Sequence, residues 1–297
     1  MNVLFCEIPN PLLYNVFIPQ PRVAHCMDCV DTYIIIYGGV AWGNVVCNEM
    51  WIYDIFKCLF VKYPLPSYVK KRCLYSAICT FGSVIYIFGG TSYPLGRDMT
   101  NKLLSFDVYQ NKWVDMSKNC KLTRNIVPKM YRASISYHGG FVYVISGIDG
   151  KQHLRTVYRY CTKSHIWSEI QLQSDISHPL SLTYLTTFKN RLYFINNPDL
   201  SPIQFSHVRA YDPSNSTWCI MTSESATNTF PENRVGECMA FYGRYGYLSS
   251  GKKPFWVNNG TQVVEDHSKS VYLTDVWRID LDTLEWKNIS NVLSVLI

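Results

Sequence analysis

Short runs of apolar residues, each closing on a pair of small residues, recur along the chain. Residues 33–37 (YIIIY) precede Gly38-Gly39, and residues 85–88 (IYIF) precede Gly89-Gly90. Residues 142–145 (VYVI) precede Ser146-Gly147, 192–195 (LYFI) precede Asn196-Asn197, and 245–249 (YGYLS) precede Ser250-Gly251. Runs this short, rich in β-branched and aromatic residues and bounded by turn formers, predict strands rather than helices. The second small residue falls at 39, 90, 147, 197 and 251, a period near fifty. A glycine pair after an apolar run also opens a phosphate-binding loop, but that needs a helix behind it with Gly and Lys at fixed offsets. Thr91, Ser92, Tyr93 and Pro94 follow instead, so the glycines belong to the repeat.

Two further markers keep the same period. Tyr53-Asp54 is followed six residues after the Asp by Phe60, and Phe106-Asp107 by Trp113. Tyr160-Cys161 leads in the same way to Trp167, Tyr211-Asp212 to Trp218, and Ile279-Asp280 to Trp286. A basic residue opens four of the repeats, at Arg22, Arg72, Arg132 and Arg234, with His178-Pro179 in the remaining one. Each repeat therefore predicts four short antiparallel strands, the second ending in the small pair, the third in aromatic-Asp, and the fourth opened by Trp. Gly38, Gly39, Gly89, Gly90, Gly147 and Gly251 are expected to permit the tight reversal. The Asp is expected to cap a turn with its own side chain. Trp113, Trp167, Trp218 and Trp286 should fill the wedge between neighbouring sheets.

This joint spacing resembles the kelch repeat across residues 22–286. The expected fold class is all-β, a kelch β-propeller with five four-stranded blades at about 22–66, 72–120, 132–173, 178–223 and 234–290, then a tail at 291–297. Residues 14–21 (YNVFIPQP) resemble the outer-strand stretch 60–66 (FVKYPLP), so the N-terminal segment 1–21 is read as carrying the closing strand of a partial sixth blade. Only eleven residues follow Trp286, too few for the other three strands. A missing sixth blade is therefore preferred over closure on five.

Composition narrows the function classes. With 47% hydrophobic, 15% aromatic and 17% charged residues, the chain is globular, and its aromatics suit strands. The net charge of +6 is scattered, and its densest cluster, Lys70-Lys71-Arg72, is too short for a nucleic-acid stripe. No basic start leads into an apolar run, and no segment reaches the ~18 apolar residues of a membrane span. Neither nucleic acid nor membrane is expected as a partner. Eleven cysteines without a secretory signal are read as reduced thiols in the cytoplasm or nucleus, and the sequons at Asn215, Asn259 and Asn288 as unused.

Candidate chemistry is sparse. Cys26-x-x-Cys29 lacks the second ligand pair of a zinc site. Counted from the opening arginines, Cys29 and Cys79 fall where other repeats place Gly139 and Phe241, and Cys26 and Cys238 where Ser76 and Ser136 stand, which argues for packing. Asp54, Asp107, Asp212 and Asp280 share one repeat position in different blades and cannot pair as acid and base. The seven histidines share no repeat position. No enzyme, metal or cofactor is expected.

A binding face remains. The loop entering the first strand and the loop leaving the second lie on one side of a blade. That side gathers Arg22, Arg72, Arg132 and Arg234 with Trp42, Tyr93, Arg97, Lys151, Lys252, Lys253, Phe255 and Trp256. The competing reading is that each arginine satisfies only local carbonyls and acids. Four together, interspersed with aromatics, favour a partner carrying a carboxylate. The nineteen-residue loop 252–270 is long enough to fold over such a site.

Finer details, "GGTSYPLG" at 89–96, "EMWIY" at 49–53 and "LTDVWRIDLDTLEW" at 273–286, resemble one branch of the kelch family. That resemblance implies a substrate receptor of a cullin-2 ubiquitin ligase, recognising protein C-termini that end in glycine. In that branch a helical box after the propeller docks on elongins B and C. No L-x-x-x-C-type helix follows the repeats here and no BTB domain precedes them, so elongin B/C and cullin-2 are implied only for a longer form. The expected function is a non-enzymatic protein- or peptide-binding propeller serving as a ligase receptor. The alternative is a structural kelch scaffold for a cytoskeletal or signalling protein.

Overall fold

The computed structural model describes residues 18–69, 73–119, 127–154, 156–170, 184–195, 205–258, 263–266 and 268–290. The architecture is all-β, built from five propeller blades, each a four-stranded antiparallel meander in chain order. Blade one comprises Arg22–Val30, Tyr33–Ala41, Met50–Asp54 and Leu59–Tyr63. Blade two comprises Ala77–Phe81, Val84–Phe88, Leu103–Asp107 and Lys112–Asp115. Blade three follows with Ser134–His138, Phe141–Ile145, Val157–Cys161 and Ile166–Ile170. Blade four holds Tyr184–Phe188, Arg191–Ile195, His207–Asp212 and Thr217–Thr222, and blade five Cys238–Tyr242, Tyr245–Ser249, Val276–Asp280 and Glu285–Asn288. Blades one to three form one compact unit, Met1–Ser181, and blades four and five a second, Leu182–Ile297.

The markers read from the sequence have direct geometric causes. The aromatic before the Asp and the aromatic after the turn are cross-strand partners: Tyr53 faces Phe60, Phe106 faces Trp113, Tyr160 faces Trp167, Tyr211 faces Trp218 and Ile279 faces Trp286. In the first four pairs the rings lie 4.6 to 5.1 Å apart, within the range of favourable aromatic pairing. The Asp caps the turn between them. Asp54 Oδ1 accepts the amides of Phe56 and Lys57, and Asp107 Oδ1 those of Tyr109 and Gln110. Cys161 Sγ takes the same role in blade three, accepting the Ser164 amide at 3.4 Å.

The glycine pair does two jobs. Gly38 and Gly89 sit at φ of +69° and +66°, where a side chain is strained. They also lie against the chain that opens the next blade. A Cβ on Gly38 would stand 2.0 Å from the Cys73 carbonyl oxygen, and one on Gly89 2.7 Å from that of Met130. The next residue makes the contact a bond, Gly39 N–H donating to Cys73 and Gly90 N–H to Met130.

The ladders also correct the repeat register. Cys26 lies opposite Tyr37, Ala77 opposite Phe88, Ser134 opposite Ile145 and Cys238 opposite Ser249, each facing the residue before the small pair. Counting back, Arg22 is equivalent to Cys73, Met130 and Arg234. The four opening arginines therefore do not share one position. Arg132 comes two residues later, in line with Ala24, Tyr75 and Gly236, and Arg72 lies outside the described residues. The cysteine positions move with them. Cys26 aligns with Ala77, Ser134 and Cys238, Cys29 with Thr80, Tyr137 and Phe241, and Cys79 with Asp28, Ser136 and Ala240. The thiols still exchange with ordinary packing residues. Burial pushes Cys26 upward and Cys73 up to about 12, so neither is a ready nucleophile at neutral pH.

Apolar side chains fill the wedges, with one cluster between blades one and two, another between two and three, and a third between four and five. Trp167 and Trp286 are buried, while Trp113 and Trp218 are half-buried. Burying a large apolar side chain fully contributes about 1.5–3 kcal/mol, so these wedges supply much of what holds adjacent blades together. Residues 1–17, which include most of the stretch expected to form a closing strand, lie outside the described residues, and residues 18–21 form no strand. His178-Pro179, Asn196-Asn197 and the tail 291–297 also lie outside them.

Candidate functional site

The arginines that do share a repeat position share a set of contacts. Arg22 donates from Nε to the Gln20 carbonyl, from Nη1 to the Gly38 carbonyl and from Nη2 to Glu49 Oε1 at 2.8 Å. Arg234 does the same with the Glu232 and Ser250 carbonyls and makes a two-point contact to Asp275, at 2.6 and 2.8 Å. Each acid also accepts from an indole two residues on, at an oxygen shared with the arginine, Trp51 Nε1–H donating to Glu49 Oε1 and Trp277 Nε1–H to Asp275 Oδ2. The equivalent acid position is Lys102 in blade two and Thr156 in blade three, where the arginine position carries Cys73 and Met130. Arginine and acid occur together or not at all. Arg22 and Arg234 therefore fasten the start of the first strand to the start of the third within their own blades, and their guanidinium groups are already occupied by carboxylate.

This fastening has a pH signature. Burial alone would raise the Glu49 carboxyl, but hydrogen bonds from Lys62, Trp51 and Arg22 outweigh it and hold it down at about 2, from an ordinary 4.5. The stability it adds is fully present above pH 4.5, falls as the unfolded chain takes up the proton, and is gone below about pH 2. Glu49→Gln is expected to flatten this part of the acid limb in denaturation curves recorded between pH 5 and 2. A limb as steep as that of the wild type would show that Glu49 is not held in the charged form.

Arg132 is different. Its guanidinium carbon lies 4.3 Å from the centre of the Tyr75 ring, and the Tyr75 and Tyr131 rings are 6.3 Å apart. No described carboxylate pairs with it, and its buried Nε has no described acceptor. Its position is set by a chain of main-chain bonds, with Arg132 N–H donating to Tyr75 O and Tyr75 N–H to Ala24 O. Ala24, Tyr75 and Arg132 all hold left-handed backbone, at φ of 59°, 53° and 56°. Such conformations in non-glycine residues are costly and concentrate at ligand clamps and switch regions. An under-bonded guanidinium lying over Tyr75 can donate charge-assisted hydrogen bonds to a carboxylate or carbonyl oxygen.

The loops expected to accompany the arginines divide between the two units. In the first, Thr91 pairs with Leu74 and Ile148 with Tyr131, so the loops leaving the second strands begin beside Tyr75 and Arg132. Tyr93 and Arg97 lie exposed on one of these loops, Lys151 is exposed on the other, and Trp42 in blade one is 97% exposed. In the second unit, loop 252–270 pairs with itself and with the strand after it. Lys252–Lys253 runs against Val271–Tyr272, and Trp256–Asn258 against Val263–Glu265. Lys252 pairs with Glu265 and Lys253 with Glu232, while Phe255 and Trp256 remain exposed. Tyr75 and Tyr131 are site residues that sequence reasoning missed. Both stand within one residue of the left-handed position, which only the ladder register identifies.

Comparison with known proteins agrees with the repeat architecture. The KLHDC2/KLHL20/DRC7 Kelch-repeats domain matches residues 10–196. The chain is 19% identical to Kelch domain-containing protein 10 of Xenopus tropicalis over 245 residues, covering 80% of this chain and 55% of that protein. It is 22% identical to Host cell factor 2 of Homo sapiens over 299 residues, covering 89% of this chain and 36% of that protein. Kelch repeat and BTB domain-containing protein 2 of Cowpox virus (strain Brighton Red) is 25% identical over 172 residues, 56% of this chain and 27% of that protein. The chain thus spans about half or less of the length of these curated relatives. With five blades, their shared strand-pair markers and a domain match over more than half of its length, this chain belongs to the kelch-repeat family of β-propellers.

Proposed function

We propose that this protein-binding kelch propeller is a non-enzymatic substrate receptor of a ubiquitin ligase, and that it holds the C-terminal carboxylate of its partner on Arg132. The observation that carries the reading is the contrast among the described arginines that open repeats. Arg22 and Arg234 are each bound to an internal acid, whereas Arg132 lies against Tyr75 with no described carboxylate beside it. The receptor role rests on the family branch that residues 89–96, 49–53 and 273–286 resemble, and the similarity to Kelch domain-containing protein 10 supports a kelch propeller.

The test is capture of synthetic peptides. Peptides ending in a free glycine carboxylate should bind, and their C-terminal amides should not. Truncating one partner of a buried charged contact usually costs about 2–5 kcal/mol, so Arg132→Ala should weaken capture roughly thirty-fold to several-thousand-fold while melting like the wild type. Arg132→Lys should rescue only part of this, because an ammonium cannot make the planar two-point contact. Capture that survives both amidation and Arg132→Ala would overturn the reading and leave a scaffold that binds proteins elsewhere on its surface.

A further inference from the structure

The outer strand of blade one, Leu59–Tyr63, pairs with Met50–Asp54 on one side and with no described residue on the other. The equivalent strand of blade five is covered. There Glu224–Ser225 runs beside Glu285–Asn288 as a fifth, parallel strand. The fold therefore already shows an extended segment adding to the outer edge of a blade. A bare edge presents unpaired N–H and C=O groups that template a further strand.

The side chains along the edge decide what kind of strand fits. Asp54 and Leu59 stand in one cross-strand row, and Ile52 and Val61 two residues further along. With Tyr63 they line a groove of about 270 Å³, and Val108 and Tyr109 from blade two line it as well. That volume falls just below the ~300–1,000 Å³ of typical small-molecule pockets and suits one or two inserted side chains. Leu59 and Val61 are 48% and 43% exposed although both are apolar. Natural edges are usually blunted by charge or proline. The one charged residue of this strand, Lys62, lies on the opposite face and is tied to Glu49.

We propose that this edge and groove dock an extended segment of a partner protein as an added β-strand carrying apolar residues at alternate positions. Residues of the added strand that lie opposite Leu59 and Val61 share their face, so every second side chain enters the groove. The surface lies at the turn end of the strands, away from Arg132, and does not depend on the carboxylate reading.

The experiment is selection of random nine-residue peptides against the full chain. Enriched peptides should carry apolar residues at i and i+2. Leu59→Glu and Val61→Glu should each weaken their binding at least about tenfold. Tyr109→Ala, on the facing side of the groove, should do the same should either glutamate variant fail to fold. N-methylating the peptide amides one at a time should weaken binding with a period of two, because only alternate amides can donate to the edge. Arg132→Ala should leave these affinities unchanged, which separates this proposal from the preceding one. Peptides that bind Val61→Glu as well as the wild type, or an N-methyl scan without a period of two, would overturn it. Concentration-dependent self-association that Val61→Glu abolishes would also overturn it, by assigning the edge to a second copy of this chain.

Discussion

Replacing Trp286 with alanine is expected to destabilise the protein by about 3–5 kcal/mol, toward the upper end of that range. The indole is 1% exposed and lies at the centre of the cluster between blades four and five. It meets the Phe205 ring edge-on at 5.6 Å, and its Nε1–H donates to the Phe205 carbonyl at 3.0 Å in a buried bond. Truncation removes the packing and one of the two hydrogen bonds that the Phe205 carbonyl accepts, the other coming from Ser223 Oγ–H at 2.7 Å, and the lost bond adds about 0.5–1.5 kcal/mol. Trp218 occupies the same repeat position in blade four but is half-buried, and its Nε1 has no described acceptor. Trp218→Ala is therefore expected to cost clearly less. Denaturant midpoints of the two variants measured side by side decide the matter. Equal losses would show that repeat position, and not the local wedge, sets the energy.

Arg234→Ala is expected to cost a similar amount, about 3–5 kcal/mol, by leaving Asp275 charged, partly buried and unpaired. The Arg234 side chain is 0% exposed, and its guanidinium satisfies two main-chain carbonyls as well as the acid. The molecule itself suggests a compensated form. Blade three carries Met130 and Thr156 at the positions of Arg234 and Asp275, and Met130 is fully buried. Exchanging a buried ion pair for well-packed side chains is often close to neutral. Arg234→Met combined with Asp275→Thr should therefore recover most of the loss, giving a large coupling energy in a double-mutant cycle. An Arg234→Ala variant within about 1 kcal/mol of the wild type would mean that the pair adds little, as exposed pairs do. The guanidinium would then be free to meet a partner after all.

These cases separate what the linear order of residues could decide from what it could not. The blade itself was legible in the sequence. A turn of four residues places Tyr53 opposite Phe60 and Phe106 opposite Trp113, so the offset that recurs along the chain is the cross-strand pairing itself. The capping by Asp54 and Asp107 reaches only two or three residues ahead. Strand, turn and cap are local interactions, and local interactions leave a fixed spacing.

The role of each arginine was not legible, because its partners are distant. Arg22 meets an acid 27 residues away and Arg234 one 41 residues away, across a loop whose length differs from blade to blade. The segment between one blade's outer strand and the next blade's first strand varies in length too. Counting residues therefore placed Arg132 with Arg22, although main-chain hydrogen bonds align it with Ala24 and Tyr75. The same bonds bring Tyr75 under Arg132 and lay Cys73 against Gly38. Sequence by itself determined the repeat, the four strands of each blade and the residues that close its turns. The tertiary structure alone decided which cations are neutralised internally and which outer strand gains a further partner among the described residues, because both depend on inter-strand register, which spacing along a chain with variable loops does not encode.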